Sequence, residues 1–247
     1  MAVRIIVASP PRFGNHWVRC LLGSVYGLEH RAGSDKPSRS RREFAADVDA
    51  GDFPDGSIFH MHARYNRRLI GQLESLPAHV VTVVRDPYDA FVSYYEWVQS
   101  RYANLARRDG ANHQAEERPR HVMLGRAVDD REVLAYLRDG YGPILQRAAG
   151  WLHSGRCEVV RFEDLHADPM GELTRLTSRL EPASPERVAA ALDFCLLENV
   201  KQRNRNLART VRRGSVGESR ARLGEEHLRI MREAHGDLIA SLGYPVR

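Results

Sequence analysis

The sequence predicts an α/β fold: a single domain with a central, mainly parallel β-sheet flanked by helices. Three observations predict it. Short β-rich runs alternate with helical periodicities along the 247 residues. The first such run breaks at Pro10-Pro11 into a turn with Gly14, and then into the apolar helical pattern Trp17, Leu21, Leu22, Val25. Each strand-like run also ends in residues of chemical use, as expected of a parallel sheet that gathers ligands at the carboxyl ends of its strands.

In chain order, strands are expected at Val3 to Ala8, Ser57 to His62, His79 to Arg85 and Cys157 to Phe162. Pro87, with Asp86 before it as a cap, opens a helix after the third strand. Leu228, Met231, His235, Leu238 and Leu242 have the spacing of a closing helix between Gly224 and Tyr244. The stretch 101–130 is polar, Arg-rich and poorly periodic, and reads as an insertion or mobile loop, a lid. The length suits one domain, residues 1–247, better than two. No apolar run approaches the ~20 residues needed to span a bilayer and no signal-peptide pattern is present, so a cytoplasmic protein is expected. Cys20, Cys157 and Cys195 have no C-x-x-C spacing and are expected to be buried thiols, neither a disulfide framework nor a zinc knuckle.

Ser9 to Trp17, S-P-P-R-F-G-N-H-W, joins the first strand to its helix. A helix N-terminus there presents unpaired N–H groups and the positive end of the dipole to an anion. Gly14 lets a ligand approach the backbone, and Arg12 adds a permanent charge. The pattern is not G-x-x-x-x-G-K-[ST], which disfavours an ordinary nucleotide kinase. A second anion signal is Arg85 at a strand end with Ser93 on the following helix, a guanidinium fork and a hydroxyl suited to a phosphate, although Arg85 paired with Asp89 would be a purely structural reading. His60 and His62 alternate onto one strand face. They suit a structural role, a metal or a general base; no further ligand spacing supports the metal, and the base is the stronger functional reading.

The net charge is +5, which on composition alone fits nucleic acid, acidic lipid or a polyanionic small molecule. Between Lys201 and Arg222, eight cations, Arg212 and Arg213 among them, face the single acid Glu218. Such a run is either a solvated face or, broken by Gly214 and Gly217, a loop (201–222) that closes over an anion.

Taken in order, these motifs resemble the cytosolic-type sulfotransferases that use 3′-phosphoadenosine 5′-phosphosulfate (PAPS). Pro11, Gly14 and Trp17 match the family's Y-P-K-S-G-T-T-W loop, with Arg12 for its Lys. His60-Met61-His62 is similar to its K-T-H, and Arg85, Pro87, Asp89, Ser93, Tyr94 and Tyr95 match its R-N-P-x-D-x-x-x-S-Y-Y. Phe162-Glu163-Asp164 resembles its Y-E-D, and Arg212-Arg213-Gly214-Ser215-Val216-Gly217 its R-K-G-x-x-G; Phe194 is a looser match to a Phe of the family. The resemblance implies a P-loop-like nucleotide-binding fold without a metal, and transfer of a sulfuryl group in line from PAPS to a hydroxyl of a small-molecule acceptor, leaving adenosine 3′,5′-bisphosphate (PAP). It puts His62 on the base, with Arg12 and His60 the other catalytic residues. Arg12 and residues Phe13, Gly14, Asn15 and His16 would hold the 5′ end, Trp17, Phe162 and Phe194 the adenine, and Arg85, Ser93, Arg212, Arg213 and Gly214 the 3′-phosphate. His60 in place of Lys, Phe162 in place of Tyr and the missing Trp after Gly217 depart from the pattern. The family's dimer signature, K-x-x-x-T-V-x-x-x-E, is not visible, so a dimer of that kind is not expected. The alternatives are a PAPS- or PAP-binding protein with little transferase activity, and a general polyanion binder; the ordered motifs argue against nucleic acid as the partner. A basic loop favours an acceptor with negative charge.

Overall fold

The computed structural model describes residues 3–30, 55–65, 67, 70–71, 77–108, 122–196 and 215–247. Its strands are β1 (Ile5–Ala8), β2 (Glu29–His30), β3 (Ser57–Met61), β4 (His79–Val84) and β5 (Glu158–Arg161). Its helices are α1 (Asn15–Tyr26), α2 (Pro87–Arg108), α3 (Arg131–Asp139), α4 (Gly142–Leu152), α5 (Phe162–Ala167), α6 (Pro169–Leu180), α7 (Pro185–Phe194), α8 (Ser219–Arg222) and α9 (Glu225–Ser241). The expected α/β class is observed, and the four expected strands appear within two residues of their expected limits. β2 was not foreseen, because two residues are too few to carry an alternation.

The strands form one parallel sheet in the order β2-β3-β1-β4-β5. β1 lies between β3 and β4, with Ile5 opposite both Ile58 and His79. All four of its residues are buried, which is why it reads as an unbroken apolar run. From β1 the chain passes to the edge strand β2, returns to β3 beside β1, and then crosses to β4 and β5 on the other side. The carboxyl end of β1 is therefore the topological switch point, where such sheets open a crevice for ligands.

The described residues gather into two compact units. The first comprises Met1–Arg85 and Arg147–Gly214 and holds the whole sheet. Ile6, Ala8, Phe59, Met61, Ile70 and Trp151 form a buried cluster there. Helix ends follow local rules: Asp168 and Ser184 cap α6 and α7 through the N–H groups of Gly171 and Arg187, and Pro169 and Pro185 open them. Tyr26 at the end of α1 donates to the Glu181 carbonyl at 2.6 Å.

One expectation about this unit is corrected. Cys20 on α1 and Cys195 at the end of α7 are not separate thiols but a disulfide, with Cα atoms 5.9 Å apart. Their 175-residue separation hides the pairing from the sequence, and the packing of α1 on α7 creates it. Cys157 remains a thiol, its pKa raised to about 11 mainly by burial.

The second unit comprises Asp86–Gln146 and Ser215–Arg247 and is helical among the described residues. Asp86 caps α2 as expected, accepting from the N–H groups of Tyr88 and Asp89 at 2.8 and 3.2 Å. Its other oxygen pairs with Arg247 at 2.5 Å. The Asp89 carboxylate accepts from the Gly217 and Ser219 N–H groups at 2.5 and 2.9 Å, so it anchors the end of the glycine-containing turn. His235 of α9 bonds the Leu137 carbonyl of α3 at 2.7 Å, the closing-helix packing expected. The 101–130 segment differs from the loop expected: α2 continues through Arg108, and Met123 and Gly125 are bonded to Gln99 of α2. Polar side chains without an apolar period concealed that last part of the helix. Residues 109–121, and residues 201–214 of the expected basic loop, lie outside the described residues.

Closing so long a loop restricts the unfolded chain, and native disulfides of this kind contribute about 2–4 kcal/mol. Urea unfolding with and without a thiol reductant should therefore show a loss of that order, reproduced in the oxidised state by Cys195→Ser. Coincident curves would mean that the bridge adds nothing to stability.

Candidate active site

Ser9, the residue after β1, builds the floor of the site. Its N–H extends the β1–β3 ladder by donating to the Met61 carbonyl at 3.1 Å, and its hydroxyl donates to the Val83 carbonyl of β4 at 2.9 Å. Its own carbonyl accepts from His62 Nδ1 at 2.6 Å. A carbonyl only accepts, so Nδ1 carries the proton, and the lone pair of a neutral His62 is on Nε2.

The turn that follows is strained where an anion is expected. Arg12 is the only non-glycine with positive φ among the described residues, at 72°, a conformation that costs roughly 1–2 kcal/mol for a residue with a Cβ. Gly14 has φ 108°, and a Cβ placed on it would lie 2.5 Å from the Phe162 ring. Phe13 is fully buried and anchors the turn in the core. α1 starts at Asn15 with no acidic side chain in its first turn, which leaves the positive end of the helix uncompensated.

Arg85, Phe162 and Trp17 meet this turn from three elements. Arg85 is 5% exposed; it donates to the Arg12 carbonyl at 3.1 Å and its guanidinium lies 4.4 Å from the centre of the Phe162 ring. Trp17 meets Phe162 edge to face, with centroids 5.9 Å apart. Phe194 ends α7 half exposed. Ser93 lies on α2 in the second unit, partly buried, and Arg212, Arg213 and Gly214 are outside the described residues.

His60 and His62 are brought together as expected, with ring centroids 4.4 Å apart, although His62 lies one residue past β3. His16 joins them, 5.9 Å from His60. Burial, followed by the charges of Arg19 and Arg12, lowers His16 to about 3. Burial and then the neighbouring His62 and His16 take His60 well below its ordinary value. For His62 burial again comes first, opposed by the bond to Ser9 and reinforced by the charges of Arg147 and Arg12, and the outcome is about 4. All three are neutral at pH 7. Their hydrogen bonds agree: Asn15 Nδ2 donates to His60 Nε2 at 3.3 Å and Arg19 faces His16 Nδ1 at 3.5 Å. The family's Lys charge is therefore not reproduced by His60.

Sequence reasoning missed two contributors, Arg19 and Arg147, and named Asn15 without its hydrogen bonds. Arg19 is buried within the apolar pattern of α1, a charge out of place on that face that could have been noticed. Asn15 donates to the Pro10 carbonyl at 2.8 Å while its Oδ1 is buried without a hydrogen-bond partner, an acceptor left over inside the site. Arg147 of α4 belongs to no motif, and only the fold brings its charge to His62. Among the described residues no group of His, Cys, Asp or Glu is arranged to hold a metal ion, and no helix is long and apolar enough to cross a membrane.

A strained turn at the switch point of a parallel sheet, with a helix N-terminus, buried arginines and neutral imidazoles, makes an arrangement suited to an anionic ligand. The family model of the sulfotransferase domain matches residues 3–243. The chain belongs to that family and is a sulfotransferase. No curated protein matches it in sequence. Among solved structures it is similar in fold to a mouse sulfotransferase, SULT7A1, complexed with PAP (17% identity, 98% of this chain and 88% of that chain, TM-score 0.64). It is also similar to retinol dehydratase, in complexes with androsterone and inactive cofactor PAP (14% identity, 96% and 80%, TM-score 0.61) and with retinol and PAP (14%, 96% and 81%, TM-score 0.61).

Two outcomes are expected of this geometry. Gly14→Ala should cost roughly 1–3 kcal/mol of unfolding free energy, because the new methyl must displace Phe162 at a left-handed φ; an unchanged denaturation midpoint would disprove that contact. The folded pKa of His62 lies below the 6.5 of the unfolded chain, so the unfolded state binds more protons between about 4 and 6.5 and stability is lost as pH falls through that window. In an NMR titration the His62 ring, assigned with His62→Gln, should remain neutral at pH 5.5; a midpoint at 6.5 would contradict the burial argument.

Proposed function

We propose that this sulfotransferase takes its sulfuryl group from PAPS and delivers it to a hydroxyl of a small-molecule acceptor by in-line displacement, with His62 as the general base. The observation that carries the reading is the Ser9 carbonyl on His62 Nδ1, which leaves Nε2 as the basic nitrogen of a ring held at the residue that opens the turn. The acceptor oxygen forms the new bond to sulfur while the bond from sulfur to the bridging oxygen of the 5′-phosphate breaks. His62 Nε2 accepts the acceptor's proton. Arg12 and the N–H groups at the start of α1 hold the charge that develops on the departing phosphate, and positioning with charge stabilisation lowers most of the barrier.

The donor's parts fit residues of the first unit. The uncompensated start of α1 and the close approach at Gly14 suit the 5′ end. Arg85, rigid between Phe162 and the Arg12 carbonyl, suits the 3′-phosphate. Trp17 supplies an aromatic face for adenine, and stacking of that kind contributes ~1–3 kcal/mol per base. Retinol dehydratase, similar in fold, holds androsterone in one complex and retinol in another, both small molecules, which is the acceptor class proposed here. A second reading, a PAP-binding protein with slow transfer, is favoured by the neutral His60, which brings no charge to the transferring group.

Calorimetry should show PAP bound more tightly than 5′-AMP or ATP, with the preference lost in Arg85→Ala. With labelled PAPS, His62→Ala should lower turnover by about 10²–10⁴-fold while still binding PAP. Equal binding of the three nucleotides would sink the donor assignment; unchanged turnover in His62→Ala would sink the base, and PAP binding without turnover in the wild type would select the second reading.

A further inference from the structure

α4 is fixed beside the segment that carries His62. Trp151, fully buried, donates its Nε1–H to the Ala63 carbonyl at 2.9 Å, one residue past His62, and its ring meets Tyr65 edge to face at 5.4 Å. The helix lies close at this point, since a Cβ at Gly150 would stand in ordinary contact with Tyr65 at 3.5 Å. Arg147 precedes Trp151 by four residues, so the two side chains lie one above the other on the same face, roughly 5–6 Å apart at Cβ. That face is the one turned to residues 61–65. Arg147 is partly buried, with its Nε among the enclosed atoms.

The other arginines of the site, Arg12, Arg19 and Arg85, belong to the donor turn, to α1 and to the end of β4. Arg147 comes from a helix that has no part in that turn. We infer that Arg147 binds an anionic group of the acceptor, so that the substrate is a hydroxyl compound carrying a carboxylate or similar anion whose hydroxyl is thereby presented to His62. The inference rests on the transfer reaction proposed above.

The electrostatics give such a cation a purpose. A guanidinium beside the base opposes protonation of His62, which is a handicap for a group that must accept a proton. An anion seated on Arg147 cancels that field and restores the base as the acceptor arrives. Binding and proton acceptance are then coupled, and a hydroxyl compound without the charge meets a weaker base.

The test uses the full chain, labelled PAPS, and matched acceptor pairs: 4-hydroxybenzoate with its methyl ester, and an aliphatic hydroxy acid with its ester. In the wild type the acid should exceed its ester in kcat/KM by roughly tenfold or more in at least one pair, the scale of a charge-assisted hydrogen bond. Arg147→Gln should remove most of that ratio, chiefly through KM, and Arg147→Lys should retain part of it. Both variants should bind PAP like the wild type, which also reports that they fold. Absence of an acid preference in every pair, a ratio unchanged in Arg147→Gln, or an equal fall in kcat for acid and ester would each overturn the inference, the last by assigning Arg147 to the transferring group. Failure of the wild type to bind PAP would instead overturn the underlying reading of the reaction, and this inference with it.

Discussion

The peptide and hydroxyl of Ser9 tie the candidate site to three strands and to His62. Its N–H belongs to β3, its hydroxyl to β4 and its carbonyl to His62. A serine at that point ties the carboxyl ends of three adjacent strands with one residue, and the bond to His62 fixes both the ring orientation and the tautomer. The cost is modest because the backbone groups involved would need partners in any case. The same peptide ends β1, so the donor turn starts from the fixed point that also holds the base. In the proposed reaction, donor and base would thus share a common support, as an in-line displacement requires of a protein scaffold.

Charge in this centre is carried by arginine and kept off histidine. Three clustered imidazoles could share at most a fraction of a proton among themselves, since each disfavours the charging of the next and burial disfavours all of them. Arginine stays protonated at any relevant pH. In the proposed reaction this arrangement would separate two duties: permanent cations for the anionic substrates, and a neutral nitrogen to accept a proton. His60 is then best understood as a packing and hydrogen-bonding partner of Asn15 that completes the floor, rather than as a replacement for a lysine charge.

Much of this was legible in the sequence. β1 announced itself by an apolar run, the donor turn by Pro10, Pro11 and Gly14, and the capped start of α2 by Asp86-Pro87. Local patterns of this kind are set by backbone sterics and burial within a few residues. The Cys20–Cys195 bridge, the bond from Asp89 to Gly217 and the approach of Arg147 to His62 were not legible, because each joins residues 85 or more positions apart. The two-residue β2 and the last turns of α2 were missed for a different reason: the first is too short for any period and the second too polar for one.

The glycine of the donor turn shows how such distant constraints hide behind a familiar motif. A glycine between a strand and a helix is ordinarily explained by the approach of a ligand or by φ alone. Here φ is indeed left-handed, yet the nearest atoms to a would-be Cβ belong to Phe162, at the start of α5. Phe162 in turn fills the space under Arg85 and against Trp17. Gly14 therefore makes room for an aromatic ring that immobilises a buried cation, and a residue of normal size would disturb Arg85 before any ligand was bound. The phenylalanine, without a hydroxyl, suits this enclosed position because it brings no polar group that would need a partner there. What reads in the sequence as two separate anion signals, the turn at Gly14 and the strand end at Arg85, is in the folded protein a single packed assembly with Phe162 at its centre.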